Sequence, residues 1–394
     1  MAYELKHDLR LPATLDETAR QEFVAALRGF VLHDMAQDMK TVYERDVAPR
    51  AARDLGHAPK DGSEVHQAIK GNNYFRFYSS MRVNAQEMTW DSVRDSVERS
   101  RDELESRIGA TLESGPGSLT LDPDMKVPRS VSGIDVHLLP GNYDRQYGDR
   151  DATQGAFFDH GAAVFYMGLM GPDQGDIGRT MARFVRGRYP DLKVQRILDL
   201  GCTVGHNTVP WAEVFPDAEV HAIDVARPCL RYGLARARKL GHAVHFHEMD
   251  ATNLKFEDES FDIVWSSMFF HEVPLKGIRK VLKEAHRVLR KGGLMLHMEL
   301  PPNKALSAYD GFYLDWDSWY NNEPFYKTFR DQDPVELCAE AGFDRSRIEQ
   351  HVVPSLNWFG EEALQQAISS EGGVDSNTGR FDQGISWYSF AAWK

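Results

Sequence analysis

The sequence predicts an α/β fold, a doubly wound, mostly parallel sheet of seven strands preceded by a helical domain. Three observations predict it. Apolar residues recur at helical spacing before about residue 190. Beyond it, short β-branched runs alternate with helical stretches, the pattern of parallel strands joined by crossover helices. The 394 residues are 42% apolar and 27% charged, a globular composition with length for one large domain or two ordinary ones.

The first helix opens at Thr14 and Glu17, which fit a capping box. Phe23, Leu27, Phe30, Val31, Met35, Met39 and Val42 continue it at steps of mostly three and four. A second runs from 89 to about 108, with Trp90, Val93, Val97, Leu104 and Ile108 on one face. Residues 111–150 are rich in Gly, Pro, Ser and Asp and read as an extended connection. Residues 1–140 are therefore expected to form the helical domain. A lid, an oligomer interface such as a homodimer, or both remain open for it. Strands are expected at 194–200, 219–224, 243–248, 261–267 and 294–299. Two more, near 348–353 and 385–392, have an irregular segment between them and read as an antiparallel pair at the sheet edge.

The formal net charge of −13 opposes nucleic-acid binding, and the arginines of 227–239 read as a solvated helix face. No apolar run approaches the ~20 residues of a membrane span. Residues 1–10 lack the apolar core of a signal peptide. Cys202, Cys229 and Cys338 have no metal-ligand spacing. A cytoplasmic location without metal or membrane partner is the expectation. His33, Asp34 and Asp38 read as a polar helix edge, and His245 and His247 share one strand face without calling for a metal.

The chemistry concentrates in Arg196-Ile-Leu-Asp-Leu-Gly-Cys-Thr-Val-Gly-His206, a strand that ends at Asp199 and turns through Gly201 and Gly205 into a helix. Glycines there admit a ligand close to the backbone, and a helix N-terminus offers free N–H groups. Asp224 ends the next strand 25 residues later, near the ~20 at which a strand-end acid grips ribose hydroxyls. Asp250 follows the third strand after another 26 residues. A dinucleotide fingerprint counted from Gly201 would need glycine where Thr203 and His206 stand, so that reading fails.

Together these residues resemble the class I S-adenosylmethionine-dependent methyltransferases, in the style of the small-molecule group that includes ubiquinone and menaquinone C-methyltransferases. The resemblance is clear over about 176–300, loose at the C-terminus and absent over 1–140. It implies a Rossmann-like methyltransferase domain over 141–394, with S-adenosylmethionine as cofactor. Asp199, Gly201, Cys202, Thr203 and Gly205 would surround the methionine moiety. Asp224 and Val225 would hold the ribose, and Asp250 and Ala251 the adenine. Ser266 belongs to the fourth-strand segment 266–273, which would lie beside the sulfonium, and Lys291-Gly-Gly293 matches the turn before the fifth strand. Thr203 departs from the family's usual glycine. Aromatics at 143–166 precede the first strand, and among them Tyr147 is expected to close the cofactor site.

Methyl transfer needs acceptor and methyl in line, and a base only where the acceptor must lose a proton. His271, just past the fourth strand, is the candidate base, with Glu272 to orient it or bind the acceptor. Capping of the following helix, or packing under the lid, is its alternative reading. Glu299 ends the fifth strand facing the crevice, either to contact the acceptor or to bond neighbouring backbone. An aromatic insertion at about 302–330, interleaved with Asp310, Asp315, Asp317 and Glu323, reads as a substrate cover. Trp316, Tyr320 and Tyr326 are its candidate acceptor contacts, against ordinary apolar burial on the N-terminal helices. The expected acceptor is a small molecule methylated at oxygen, sulfur or nitrogen, with carbon open. A non-catalytic partner keeping the cofactor fold, and a protein or RNA methyltransferase, are the alternatives.

Overall fold

The computed structural model describes residues 7–370 and 384–394. Its strands are β1 (Ser118–Thr120), β2 (Arg196–Leu200), β3 (Glu219–Asp224), β4 (His245–Glu248), β5 (Phe261–Ser267), β6 (Leu289–Glu299), β7 (Ile348–Pro354) and β8 (Ser386–Trp393). They form one sheet in the order β1-β4-β3-β2-β5-β6-β8-β7. The first six are parallel, and β8 runs antiparallel between β6 and β7.

All seven expected strands are present, and β1 adds an eighth. It lies inside the stretch read as a bare connection. Its three residues carry no pattern of their own and become a strand by pairing with the open edge of β4, Ser118 opposite His245. The sheet thus begins before residue 140. A second difference lies between β7 and β8, where a helix, Leu356–Ser369, replaces the irregular segment. Ser355 caps it by accepting from Trp358 N at 3.2 Å. Gly360, at φ 78°, interrupts its periodicity and hid it from sequence reading.

β2 and β5 are covered on both faces, as near-continuous apolar strands must be. Ile197, Leu198, Leu200, Ile263, Val264 and Trp265 are all fully buried. Met181, Phe184, Val185 and Trp211 pack on one face. Ile278, Val281, Leu282 and Ala285 pack on the other. Parallel β2, β3 and β5 therefore bring Asp199, Asp224 and Ser267 to one end of the sheet.

Helix Leu15–Phe30 opens with the expected capping box. Glu17 N donates to Thr14 Oγ1 at 3.2 Å, and Thr14 N to Glu17 Oε2 at 2.7 Å. It continues through π-helical turns at Val31–Met35 and Tyr43–Val47 as far as Leu55. The second expected helix is two, Asn73–Arg99 and Arg101–Glu113. Arg99 donates to Glu17 Oε1 and Oε2 at 2.6 and 2.8 Å, and Arg28 to Gln86 at 2.6 Å, locking the first pair of helices together.

The 302–330 insertion forms helix Ala308–Tyr320 and the short helix Tyr326–Arg330. The longer one approaches Gly62 so closely that a Cβ there would meet the Phe312 backbone at 2.9 Å. Val31, Phe75, Tyr78, Phe312 and Trp316 join one apolar cluster. The insertion and the N-terminal helices thus share a core. Among the described residues, no helix is long and apolar enough to cross a membrane.

Candidate active site

A cavity of about 460 Å³ opens at the carboxyl ends of the strands. Its floor is the turn after β2, where the N–H groups of Gly201 and Cys202 donate to Ile223 O at 2.9 and 3.0 Å. Gly201 has φ +73°, and a Cβ there would strike the Phe269 ring at 2.3 Å, so only glycine fits. Thr203 holds φ +50°, strained for a β-branched residue. Its N–H offsets that cost by donating to Asp224 Oδ2 at 2.8 Å. Ala226 N donates to the other oxygen, Oδ1, at 2.9 Å. Asp199 accepts from Thr208 Oγ1 at 2.5 Å, and Asp250 from Thr252 N at 2.7 Å.

No lysine or arginine lines this cavity among the described residues. Burial therefore pushes the Asp199 carboxyl up to about 7 and that of Asp224 up to about 6. Such acids lack enough donors, which is the condition of a site built to receive hydroxyl or amine donors.

The other end of the cavity is a chain of alternating carboxylates and imidazoles. Glu299, fully buried, accepts from Phe269 N at 2.8 Å, Phe270 N at 2.6 Å and His271 Nδ1 at 2.6 Å. His271 Nε2 lies 3.6 Å from Glu323 Oε2. His137 bridges Glu323, at 3.3 Å from Nδ1, and Glu272, at 3.0 Å from Nε2. Tyr143 donates its hydroxyl to the same Glu272 Oε1 at 3.0 Å. Glu272 Oε2 has no hydrogen bond among the described residues. Burial by itself would lower the two histidines, but the surrounding glutamates overcome it and raise His271 to about 9 and His137 to about 10. The same pairing outweighs burial and holds Glu272 and Glu323 below the usual carboxylate range. The glutamates thus favour the protonated form of both imidazoles.

Of the expected residues, Asp199, Gly201, Cys202, Thr203, Asp224 and Val225 line the cavity. Asp250, Ala251, His271, Glu272 and Tyr326 line it as well. Others do not. Gly205 lies behind the loop, where a Cβ would face Phe246 at 3.1 Å. Ser266 is buried against His297 Nδ1 at 2.8 Å, and the alternation of the strand turns Ser267 to the cavity instead. Tyr147 is 45% exposed, 5.0 and 4.8 Å from the Arg101 and Arg145 guanidinium groups, while Tyr143 takes the position expected of it. Glu299 is consumed by its backbone donors and His271. Trp316 donates to Ser79 Oγ at 3.0 Å, and with Tyr320 belongs to the helical core. His271 has a carboxylate at each nitrogen, which removes the free lone pair a base requires. The shared face of His245 and His247 meets His221, whose Nδ1 sits 3.0 Å from His247 Nε2.

Sequence reading missed His137, Asn321, Trp90 and Gln174, all of which line the cavity. One signal was available for His137. The Gly-Pro-rich segment around it holds two consecutive left-handed residues, His137 at φ 58° and Leu138 at φ 56°. Gln86 Nε2 and Trp90 Nε1 each donate to His137 O at 2.7 Å and hold that conformation.

Residues 197–293, which span β2 to the start of β6, match the family described as "Methyltransferase domain". The chain carries a class I S-adenosylmethionine-dependent methyltransferase domain. It is 36% identical over 121 residues to the demethylmenaquinone methyltransferase of Thermus thermophilus, covering 30% of this chain and 54% of that one. It is 28% identical over 218 residues to the ubiquinone/menaquinone biosynthesis C-methyltransferase of Vibrio campbellii, covering 50% and 83%. The chain thus spans about half the length of the first relative and most of the second. Among solved structures, Haemonchus contortus phosphoethanolamine N-methyltransferase 2 in complex with S-adenosyl-L-methionine aligns at 20% identity, TM-score 0.39, over 59% of this chain and 57% of that one.

The methyltransferase domain fits its cofactor on its own geometry. Asp224 is oriented by two backbone donors with its carboxyl raised by burial, and Gly201 closes the turn against the Phe269 ring at the cavity floor, where no side chain would fit.

Proposed function

We propose that this chain transfers a methyl group from S-adenosylmethionine to a small molecule held between the strand tips and the 302–330 cover. The observation that carries the reading is one continuous cavity with buried aspartates at one end and, at the other, a carboxylate oxygen, Glu272 Oε2, that has no hydrogen bond among the described residues. When bound, the cofactor supplies an electrophilic methyl on a sulfonium.

Asp224 would hold the ribose hydroxyls, Asp250 and Ala251 the adenine, and the 201–205 turn the methionine end. Trp90, Phe158, Phe165 and Tyr313 supply apolar walls that exclude water and align a flat or hydrocarbon acceptor. Glu272, held at Oε1 by Tyr143 and His137, presents Oε2 to take a proton from an acceptor hydroxyl, thiol or amine. His271 remains an imidazolium between Glu299 and Glu323 and orients the turn that carries Glu272. Oxygen, sulfur and nitrogen are the favoured acceptor atoms. The names of two relatives, both quinone-pathway methyltransferases, keep carbon among them.

Incubation with S-adenosylmethionine and a metabolite library, read by mass gain of one methyl group, tests the activity. A methylated small molecule is expected, and a folded, cofactor-binding protein that methylates nothing in the library opposes the reading. Replacing Glu272 with Gln is expected to lower turnover of the acceptor so found about a hundredfold at unchanged cofactor affinity. Undiminished turnover removes Glu272 as the proton acceptor.

A further inference from the structure

Asp159, on the helix Thr153–Phe165, is a fully buried carboxylate beside the cofactor turn. His206 Nε2 lies 2.6 Å from its Oδ1, and Gln174 Nε2 donates to the same oxygen at 3.1 Å and to Asp159 O at 2.8 Å. Tyr232 donates to Oδ2 at 2.7 Å, and His7 Nε2 stands 3.0 Å from it. Arg236 Nε sits 3.8 Å from Oδ1, while its Nη1 donates to Gly205 O at 3.4 Å. One anion therefore ties the N-terminal segment, two helices and the cofactor turn together.

The consequence lies at the far ends of two of these side chains. An ionised carboxylate accepts, so His206 must carry its proton on Nε2 and Gln174 must turn its amide nitrogen inward. His206 Nδ1 is then a lone pair and Gln174 Oε1 a carbonyl oxygen. Both residues line the cavity next to the Gly201–Gly205 turn. Gln174 is 4% exposed, its backbone is left-handed at φ 55°, and its Oε1 has no hydrogen-bond partner among the described residues. A buried carbonyl oxygen without a donor destabilises the fold unless something supplies one. Burial also lowers the His206 imidazole, in keeping with a neutral ring.

We infer that Gln174 Oε1 and His206 Nδ1 form an acceptor pair for the α-ammonium of the cofactor's methionine moiety, with Asp159 as the residue that positions both. This rests on the cofactor-site reading above. It assigns to Asp159 and Gln174, outside the matched 197–293 segment, and to His206 within it, the recognition of a cationic donor in a cavity whose described lining holds neither lysine nor arginine.

Calorimetry on the full chain with two ligands tests it: S-adenosylhomocysteine, and the analogue in which hydrogen replaces the α-amino group. Wild-type protein is expected to bind the first at least about tenfold more tightly. Gln174→Met and His206→Phe are each expected to lower affinity for S-adenosylhomocysteine about tenfold and to leave the des-amino analogue unchanged. Asp159→Asn is expected to erase the discrimination. Equal wild-type affinity for the two ligands overturns the inference, and that comparison needs no variant to fold. Equal losses for both ligands in the variants also overturn it, because a purely structural role predicts that pattern. A folded wild-type protein that binds neither ligand overturns the cofactor reading itself, and this inference with it.

Discussion

The two ends of the cavity are both acidic, yet they stand in opposite electrostatic condition. At the cofactor end, Asp199 and Asp224 have no cationic partner among the described residues, and burial raises their carboxyls to about 7 and 6. At the acceptor end, Glu272 and Glu323 meet His137 and His271, and each partner stabilises the charged form of the other. The difference teaches what each end awaits. Uncompensated acids are completed by a ligand's donors, whereas the compensated chain is rigid on its own and leaves one oxygen for the acceptor.

The largest expected effect breaks the comparison most directly. Asp224→Ala should weaken S-adenosylhomocysteine binding about a hundredfold or more, because it removes the ribose grip, and Glu323→Gln should leave it within about twofold. Similar losses in the two variants would erase the distinction between the ends. Calorimetry reads both.

Next in size is His271→Gln. It leaves Glu299 buried with no cation, and urea unfolding at pH 7 should register a loss on the order of 3 kcal/mol. Unfolding that matches wild type would mean the acceptor-end chain is not charge-coupled.

pH sharpens the picture further. His271 and His137 have folded values raised above the ~6.5 of a free imidazole. Their stabilisation is complete below that value and is lost as pH climbs through about 9 and 10. Asp199 and Asp224 are raised too, so their neutral forms favour the fold below ~3.9 and that gain disappears by about pH 7. Ligand-free protein should therefore lose melting temperature in two steps as pH rises. S-adenosylhomocysteine should flatten the lower step alone.

The smallest effect is Asp199→Asn. Removing a buried charge while keeping an oxygen for the Thr208 hydroxyl should raise the ligand-free melting temperature at pH 8 by a few degrees, about 1 kcal/mol. A lower melting temperature would show that Asp199 is already compensated within the protein.

The cofactor end was legible in the sequence because its parts are local. Asp199, Gly201, Asp224 and Asp250 fall in one βαβαβ frame, where strand period and turn glycines fix which side chains reach the tips. The acceptor end was not. His137 and Glu272 are 135 residues apart and meet only because Gln86 and Trp90 hold a strained turn above β5. The fourth-strand segment did point to His271 and Glu272, but their roles depend on Glu323 and His137, which spacing does not place. Tyr147 and Tyr143 are equivalent by composition, and tertiary contacts decided between them. β1 was hidden for a related reason, since a three-residue edge strand is specified by its partner rather than by itself.

A crystal structure of the complex with S-adenosylhomocysteine bears most directly on this account. It should hold the ribose hydroxyls on Asp224 and the adenine beside Asp250, with the sulfur facing Glu272 across the cavity. Strand tips left empty at saturating ligand, or a nucleoside lodged away from Asp224, would contradict it.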